Sequence, residues 1–575
     1  MAGVGQSISE FYSGKVVLVT GCTGFVGKVL LEKLLWELCS PALGAVGGTY
    51  DGPSIKLLIR HSSKATSQKR FEELISGSPA FDRLRQKHSS AFNDFLRRCV
   101  EVVDGDLELE CFGLDQRGYA ELCGSGLDVI LHCAALVAWG APLDASIRCN
   151  SMGARRVAQL AHDARSTSQR PARLVVVSTA WVHGMRRGRC PEWPMSRLCG
   201  KGAGPAAEEE ARPWPPLDTH AEVEACLAKA AAFEASSSLN ERLAEFLREA
   251  TRRLGPQARP EDLKGAAEEI RSRWVEAQMV EWGLEHARRF GWWDGYTFSK
   301  AIGEQFVEEL QGDVPYAVVR PSGVVGAASE PAPGWVDAYL LVEPLIEGVG
   351  TGQITSFPGD PNCVIDCVPV DFCCSVILAA AAKLPEKAQS SDSAASVYQC
   401  ASGDLFPNKL GEIEATWRDY FRHSPMLDAR GKAVSVQPVN FTPDAESFAG
   451  SLRRRYALPL RACVQAVELV PFWERVGTIR TARGWLEKKR RGVEKVLSLA
   501  KLYSTYTLNA WSFETSNSRA LMASLSEADQ ARFPYFPDKS WDWGEFWSEK
   551  HIPGMRRWVL HEKTPQVTHQ PSSKL

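Results

Sequence analysis

A tyrosine and a lysine four positions apart form the pattern in this chain with the clearest chemical meaning. Tyr296 and Lys300 occur in the segment GYTFSKAIGEQFVEEL, and on a helix this spacing places them on one face. A phenol has a pKa of about 10 in water, and a neighbouring ammonium group stabilises its anion. The pair therefore predicts a tyrosine that transfers a proton near neutral pH, with the lysine also holding a bound ribose. The alternative is a solvated helix face, because the Tyr-x-x-x-Lys pattern is common by chance.

A hydroxyl group at the end of a predicted strand is the third catalytic candidate. Ser178 and Thr179 follow the β-branched run Leu174–Val177. Side chains at the carboxyl end of such a strand face the ligand crevice of an α/β sheet. Either hydroxyl can donate a hydrogen bond to a developing oxyanion. We predict Thr179 in this role, with Ser178 as the alternative.

A glycine-rich turn between a strand and a helix predicts a dinucleotide site. Gly21, Gly24 and Gly27 follow the run KVVLV and precede an apolar helical segment. The first glycine permits a tight turn, the second a close approach to pyrophosphate, and the third close helix packing. The N-terminus of the helix offers free N–H groups to the phosphates. The same turn adds three predicted cofactor contacts: Thr23, Phe25 and Val26.

The charges after the second predicted strand favour NADPH over NADH. Arg60 directly follows the run Ile55–Ile59, where a carboxylate would accept from the ribose 2′-hydroxyl of NADH. Arg70 follows with Lys64 and Lys69, and no acidic residue lies between the two arginines. Cations at this point suit a 2′-phosphate, so we predict that Arg60 and Arg70 bind NADPH. The alternative is that they are solvated surface charges.

Further cofactor contacts are predicted near two other strands and at one asparagine. Asp106, followed by Leu107, comes after the third predicted strand, where its carboxylate would accept from the adenine amine. Ala134 and Ala135 follow the fourth strand, and their small side chains let a cofactor pass closely. Asn150 opens the helical segment NSMGARRVAQLA. It either contacts the cofactor or serves as a helix cap or a structural hydrogen-bonding residue.

The pattern of elements around these residues predicts an α/β fold with a doubly wound, Rossmann-type parallel sheet. Short apolar runs alternate with helical segments, which implies parallel strands joined by right-handed crossovers. The runs cover residues 15–19, 55–59, 100–103, 129–132, 174–177 and 314–319. We place an NADPH-binding domain at 1–425, with a helical insertion at about 186–290. A smaller, mainly helical domain follows at 430–560, and a disordered tail at 561–575.

Composition narrows the class of protein further. The 575 residues are 44% hydrophobic and 24% charged, which excludes global disorder. The net charge of −2 gives no bulk attraction for nucleic acid, so no nucleic-acid partner is expected. The 16 cysteines form no disulfide framework, and no signal peptide is evident, which predicts reduced thiols. Cys363, Cys367, Cys373 and Cys374 fit no common zinc spacing, so no metal is predicted. No apolar run reaches the roughly 18 residues of a membrane-spanning helix.

In chain order, these motifs resemble those of the extended short-chain dehydrogenase/reductase family. The glycine turn comes first, then the cationic second strand, the strand-end hydroxyl and the Tyr-x-x-x-Lys pair. Within that family the chain resembles the alcohol-forming fatty acyl-CoA reductases. The likeness rests on Phe11–Lys15, on STAWV at 178–182, on RPSGV at 320–324 and on IDCVPVDFCCSVI at 365–377.

The resemblance extends through the C-terminal region, with one departure near the tyrosine. FETSNSRAL at 513–521 and the tryptophan-rich segment after it are similar to the second domain of those reductases. Plant and bacterial members usually read W-P-N-T-Y where this chain has Trp292-Trp293-Asp294-Gly295-Tyr296. We expect this departure to alter the shape of a loop near the substrate and not proton transfer.

The resemblance implies a four-electron reduction of a long-chain fatty acyl-CoA. Two hydride transfers from NADPH, through a bound aldehyde and without a metal, would yield a primary fatty alcohol and CoA. Tyr296 and Thr179 would hydrogen-bond the carbonyl oxygen. The basic runs at 453–455 and 488–491 are candidates for contacts with the CoA phosphates, although a solvated helix face explains them too. The basic, aromatic-rich end could instead touch a membrane surface peripherally.

Two other functions are compatible with the same residues. One is a two-electron relative, either an aldehyde-forming reductase or an extended-family enzyme that acts on sterol or sugar alcohols. The other is a non-catalytic NADPH-binding scaffold with the C-terminal region as its interaction surface.

The last three residues predict a location. Ser573-Lys574-Leu575 matches the signal that the peroxisomal import receptor reads at a flexible C-terminus. We therefore expect a peroxisomal protein whose fatty alcohol feeds ether-lipid synthesis, with wax esters as the other outlet.

Overall fold

A computed structural model provides the structure of the chain. It describes residues 6–41, 50–138, 140–168, 171–199, 216–255, 257–385, 397–470, 473, 476–537 and 540–562. The predicted import signal at Ser573–Leu575 and most of the predicted tail lie outside the described residues.

Parallel strands form the centre of the fold. The strands are β1 (Val16–Thr20), β2 (Ser54–Ile59), β3 (Val100–Asp104), β4 (Leu127–His132), β5 (Arg173–Val177), β6 (Gly188–Cys190), β7 (Tyr316–Pro321), β8 (Gly323–Val325), β9 (Ser356–Pro358), β10 (Cys367–Pro369), β11 (Val397–Cys400), β12 (Asn440–Thr442) and β13 (Trp511–Phe513). Seven of them form one sheet in the order β11-β7-β5-β4-β1-β2-β3, and every pair in it is parallel. The chain progresses outward from β1 in both directions, so a crevice opens at the carboxyl ends of β1 and β4.

The predicted Rossmann-type sheet is confirmed, and the structure adds one strand to it. The six predicted runs all lie in this sheet. The seventh strand, β11, has the sequence VYQC and was not predicted. Outside the main sheet, β6 at the start of the predicted insertion pairs in parallel with β13 of the C-terminal region. That pairing is also invisible in sequence, since more than half of the chain separates the two strands.

Helices cover both faces of the sheet and build the rest of the molecule. They are α1 (Ile8–Tyr12), α2 (Phe25–Lys33), α3 (Ser67–Gly77), α4 (Asp82–His88), α5 (Phe92–Cys99), α6 (Gln116–Cys123), α7 (Leu143–Ser146), α8 (Met152–Ser168), α9 (Met195–Leu198), α10 (Thr219–Ser237), α11 (Asn240–Leu254), α12 (Pro260–Arg289), α13 (Gly295–Leu310), α14 (Glu343–Gly350), α15 (Val370–Lys383), α16 (Leu410–His423), α17 (Ala445–Leu452), α18 (Leu458–Glu468), α19 (Gly477–Thr507), α20 (Ser516–Ala523), α21 (Glu527–Arg532), α22 (Trp543–Glu545) and α23 (Ile552–Gly554). A π-helical segment at Ile147–Ser151 joins α7 to α8.

The tryptophans after residue 540 pack in or against the main hydrophobic core. The Trp541 ring lies 5.4 Å from Phe372 of α15, and the Trp547 ring lies 5.8 Å from Trp417 of α16. Helix α15 packs directly on strands of the central sheet. The C-terminal region is therefore packed against the sheet through α15, which agrees with a structural role for the tryptophans. Within the described part of the chain, no helix combines the length and the apolar character needed to cross a bilayer.

Candidate active site

One cavity of about 510 Å³ lies at the carboxyl ends of the central strands. Almost every predicted site residue borders it. The predicted residues in its lining are Gly21, Thr23, Gly24, Phe25, Val26, Gly27, Arg60, Arg70, Asp106, Leu107, Ala134, Ala135, Thr179, Tyr296 and Lys300. The structure thus brings together segments that span nearly 280 positions of the chain. We refer to the part formed by Gly21–Gly27 as the glycine-turn end.

The glycine-turn end is packed so tightly that two of its glycines admit no side chain. Gly21 has a φ of +76°, and a Cβ atom there would lie 2.5 Å from the backbone nitrogen of Ala134. A Cβ atom on Gly27 would lie 2.1 Å from the carbonyl oxygen of Gly21. Gly24 is the N-cap residue of α2 and offers no side-chain hydrogen bond to the helix. The first N–H groups of α2 therefore remain available to an anionic ligand in the cavity.

Arg60 is held by acidic residues that the sequence did not place beside it. Its guanidinium Nη1 donates to Glu108 Oε1 at 3.2 Å and lies 3.9 Å from Asp106 Oδ2. Arg70 donates in turn to the backbone carbonyl of Arg60. Along the sequence, no acidic residue lies between Arg60 and Arg70. Glu108 reaches Arg60 because β3 lies next to β2 in the sheet, so the segments after the two strands converge.

Asn150 lies behind the cavity wall and is not among the residues that border the cavity. Its Oδ1 accepts from the backbone N–H of Leu136 at 2.7 Å, and its Nδ2 donates to Ser299 Oγ at 3.0 Å. It also lies inside the continuous helical run from α7 to α8. The prediction that Asn150 opens a helix is therefore wrong. Of the two roles left open, the geometry favours the structural hydrogen bond, which fixes the segment after β4 against α13.

Tyr296 is a buried phenol whose pKa is raised above its usual value. Burial is the main cause, and the nearby Asp294 carboxylate adds to it, while a hydrogen bond with the Thr179 side chain acts in the opposite direction. The tyrosine is therefore protonated at neutral pH and available as a proton donor. Of the two hydroxyl candidates, Thr179 is the one whose side chain lowers the pKa of Tyr296. Ser178 also borders the cavity, but its Oγ has no hydrogen-bond partner among the described residues.

Lys300 is buried one turn further along α13. Its ammonium Nζ donates to the carbonyl oxygen of Val177 at 2.7 Å, immediately before the Ser178–Thr179 pair. Burial lowers the pKa of the lysine, partly offset by the Glu304 carboxylate. We predicted that Lys300 lowers the pKa of Tyr296, but in the structure the group that does so is Thr179. Lys300 instead ties α13 to the end of β5.

Asp294 is a site residue whose role was predicted wrongly. It caps α13, with Oδ1 accepting from the backbone N–H of Thr297 at 2.7 Å. Because its buried carboxylate raises the pKa of Tyr296, the departure from W-P-N-T-Y does affect the residue predicted to transfer the proton. Tyr506, near the end of α19, donates to Asp294 Oδ2 at 3.4 Å, and its ring lies 5.0 Å from that of Trp181. Tyr506 was missed altogether, because nothing local in the sequence links it to Asp294.

Exposed apolar side chains border the cavity on its outer side. Val137 and Leu340 both line it and are 46% and 53% exposed, and we call these two residues the mouth. Tyr503 of α19 donates to the carbonyl oxygen of Leu340 at 2.8 Å. Glu343, also in the lining, accepts from the backbone N–H of Leu341 at 3.1 Å, and burial raises its pKa to about 7. Helices α19 and α14 together hold this wall in position.

The four cysteines considered for a metal site do not form one. Cys363 Sγ contacts the carbonyl oxygen of Asn509 at 2.9 Å, whereas Cys374 Sγ contacts that of Val26 at 3.6 Å. Across the described residues, no group of three or more His, Cys, Asp or Glu side chains is arranged to hold a metal ion.

The sheet, the glycine turn and the Tyr296–Lys300 pair are those of a nicotinamide-dependent reductase. A solved structure of the terminal reductase domain from the myxalamid PKS-NRPS biosynthetic pathway has the same fold, with a TM-score of 0.50 and 16% sequence identity. The alignment covers 96% of this chain and 93% of that domain.

Comparison with family models then identifies the family. Two models, both described as Male sterility protein, match residues 19–377 and 476–562, and the chain belongs to this family. Fatty acyl-CoA reductase 2, chloroplastic, from Arabidopsis thaliana is 28% identical over 97% of this chain and 80% of its own length. The alcohol-forming fatty acyl-CoA reductase of Simmondsia chinensis is 24% identical over 96% of this chain and 99% of its own length. The resemblance to fatty acyl-CoA reductases inferred from the motifs is confirmed.

Proposed function

We propose that this protein reduces long-chain fatty acyl-CoA to a primary fatty alcohol and CoA, with NADPH as the reductant. The observation that carries the proposal is the single cavity that joins three features. It has the uncapped N-terminus of α2 at one end, Tyr296 and Thr179 in its wall, and the apolar mouth on its outer side. The names of the similar plant proteins support the same substrate and product.

The residues around the glycine-turn end fit a dinucleotide. The start of α2 is uncapped by any side chain and borders the cavity, so its N–H groups suit a pyrophosphate. Asp106 would accept from the adenine amine, and Arg60 and Arg70 would bind a ribose 2′-phosphate. The acidic neighbours of Arg60 compete for its charge, so the preference for NADPH depends on both arginines. When bound, NADPH supplies the hydride of each reduction.

The wall residues would handle the oxygen and its proton. Thr179 and Tyr296 donate hydrogen bonds to the thioester oxygen, and Tyr296 transfers its proton as negative charge develops there. The resulting hemithioacetal returns the hydroxyl proton to the tyrosinate and loses CoA, which leaves as the thiol once it gains a proton. The aldehyde stays in the cavity, and Tyr296 protonates its oxygen in the second reduction. Each acyl-CoA thus requires two hydrides and two protons from solution.

Product stoichiometry tests this proposal against its rivals. Purified protein is given NADPH with C16 or C18 acyl-CoA, and NADPH consumed, CoA released and lipid products are measured together. Two NADPH per CoA with fatty alcohol as product is the expected result. One NADPH per CoA with accumulating aldehyde would favour the aldehyde-forming reductase. If acyl-CoA is not turned over although NADPH binds, a sterol or sugar alcohol substrate or a non-catalytic scaffold becomes the better account.

The destination of the product is a separate proposal. We infer that Ser573-Lys574-Leu575 directs the protein to peroxisomes through the import receptor, so that its alcohol serves ether-lipid synthesis, or wax-ester synthesis. A fluorescent protein fused to the N-terminus should be peroxisomal with these residues present and cytosolic once they are removed. Unchanged localisation after their removal would reject the import signal while leaving the enzymatic proposal untouched.

A further inference from the structure

Helices α18 and α19 form a long projection whose surface the proposed reaction does not use. Helix α19 has 31 residues and is therefore about 46 Å long, but its buried residues are confined to Ala500, Tyr503 and Thr507 near its end. Arg483 near its start pairs with Glu468 at the end of α18 at 2.6 Å, so the two helices are antiparallel. We call these two helices the basic hairpin.

The basic hairpin carries a charge opposite to that of the rest of the chain. Residues 458–507 include ten Arg or Lys and four Glu, whereas the whole chain has a net charge of −2. The described glutamates, Glu468, Glu487 and Glu494, line the groove between the two helices and are already paired. Glu487 and Glu494 both bind Arg490, and Glu468 binds Arg483. A surplus of positive charge is therefore left on the outer surface.

The outer face of α19 combines that charge with an exposed aromatic ring. Trp485, Lys488 and Lys489 lie three and four positions apart and share one face of the helix. Trp485 is 58% exposed, and the Lys489 ammonium lies 5.8 Å from its ring centroid. Within the described residues, neither lysine forms an ion pair. A tryptophan flanked by lysines is the side-chain combination that favours the interface between water and lipid.

Apolar residues are also exposed where the two helices meet. Leu469, directly after α18, is 83% exposed, and Val470 and Val476 are about half as exposed. Exposed leucine and valine side chains beside dense positive charge are unusual on a surface that faces only water. An anionic membrane surface binds both the apolar side chains and the cations. Nucleic-acid phosphates would use the cations but not the exposed leucine and valines, which we call the apolar tip.

We propose that the basic hairpin binds the surface of an anionic lipid bilayer, with the outer face of α19 on the headgroups and the apolar tip inserted. Each exposed lysine attracts the negative surface potential, and the tryptophan and leucine add apolar burial. The opposite end of α19 reaches the cavity, where Tyr503 binds the Leu340 carbonyl of the mouth. Membrane attachment is thereby connected to the wall through which an acyl chain would enter. This binding does not require the proposed reaction to be correct.

Co-sedimentation of the full-length protein with vesicles tests the proposal. We expect binding to phosphatidylcholine vesicles that contain phosphatidylserine, little binding to pure phosphatidylcholine, and loss of binding at high salt. The double variant Lys488→Glu/Lys489→Glu should reduce the bound fraction at least about tenfold. Leu469→Ser/Val470→Ser should weaken binding even at low salt, because it removes the inserted groups.

A matched control comes from α11, which also exposes leucines but holds nearly balanced charges. Leu243 and Leu247 are about half exposed, while Arg252 and Arg253 on the same helix pair with glutamates. Leu243→Ser/Leu247→Ser should leave vesicle binding unchanged.

Three results would overturn the proposal. Equal binding to neutral and anionic vesicles would remove the role of the cations. An unchanged bound fraction in Lys488→Glu/Lys489→Glu, with a raised KM for acyl-CoA, would assign this face to CoA phosphates instead. A change of molecular mass in Leu469→Ser/Val470→Ser, with vesicle binding intact, would show that the tip joins copies of the chain.

Discussion

The glycine-turn end and the mouth of the cavity are assembled in different ways. Gly21 and Gly27 contact each other across six positions of the sequence. At the mouth, Leu340 is held by Tyr503, 163 positions away. Next to Tyr296, the Asp294–Tyr506 bond likewise joins residues 212 positions apart. The first end is a local backbone structure with no room for change. The second depends on side chains from the C-terminal region, so substitutions there should alter rates and pH dependence more gradually.

Among the substitutions that compare the two ends of the cavity, the largest effect is expected at Gly27. Gly27→Ala places a methyl group 2.1 Å from the Gly21 carbonyl oxygen, and neither backbone segment can move away easily. We expect the Kd for NADPH to rise about a hundredfold, measured by isothermal titration calorimetry. Gly77→Ala is the matched control, because a Cβ atom there meets nothing within 4 Å. Wild-type affinity in Gly27→Ala would contradict the described packing.

Arg60 tests whether the acidic neighbours weaken the choice of NADPH. Arg60→Ala should lower kcat/KM with NADPH about tenfold while leaving the value with NADH nearly unchanged, since only the 2′-phosphate is lost as a partner. Glu108→Gln should act in the opposite direction, because it removes the negative charge that competes for Arg60 and keeps only an amide oxygen to accept the 3.2 Å hydrogen bond. Equal losses with both nucleotides in Arg60→Ala would remove Arg60 from the basis of the preference.

Asp294 should influence the pH dependence of kcat/KM through the pKa of Tyr296. In the reductive direction Tyr296 must be protonated, so activity falls as pH rises through its pKa. Asp294→Asn retains the helix cap but removes the charge that raises this pKa. The alkaline limb of kcat/KM should therefore move to lower pH by about one unit. Asp371→Asn, which removes another buried carboxylate that accepts backbone hydrogen bonds, should cost stability without moving that limb.

Tyr503 should give the smallest effect. Tyr503→Phe removes the hydrogen bond to Leu340 and leaves the ring in place. We expect KM for long-chain acyl-CoA to rise about two- to fivefold, with kcat and NADPH affinity unchanged. Tyr456→Phe, on the exposed surface, is the control. A fall in kcat without a change in KM would mean that Tyr503 acts on the chemistry and not on the wall.

The same contrast explains what the sequence could predict. Three features could be predicted because each is local and has a fixed relation to a strand or helix. They are the glycine turn, the strand-end hydroxyl and the Tyr296–Lys300 pair. Glu108 was not associated with Arg60, because the contact depends on which strands are adjacent. The pairing of β6 with β13 and the Asp294–Tyr506 bond are equally non-local.

Two predictions failed for local reasons. Asn150 was predicted to start a helix because a polar residue there precedes an apolar helical segment. In the structure the helical run begins earlier, at α7, and the asparagine binds Leu136 and Ser299. Lys300 was predicted to lower the pKa of Tyr296, but its ammonium group donates to the Val177 carbonyl oxygen. Spacing places two residues on one face of a helix without fixing which partner each side chain chooses.

The most direct test of the account compares the two proposed reductions in a single variant. Tyr296→Phe is assayed with a long-chain acyl-CoA and, separately, with the corresponding free aldehyde, at saturating NADPH. Because one cavity and one proton donor serve both steps, we predict that both rates fall by the same factor, about a thousandfold, with NADPH affinity unchanged. Aldehyde reduction that persists while acyl-CoA reduction is lost would contradict a single site for the two reductions.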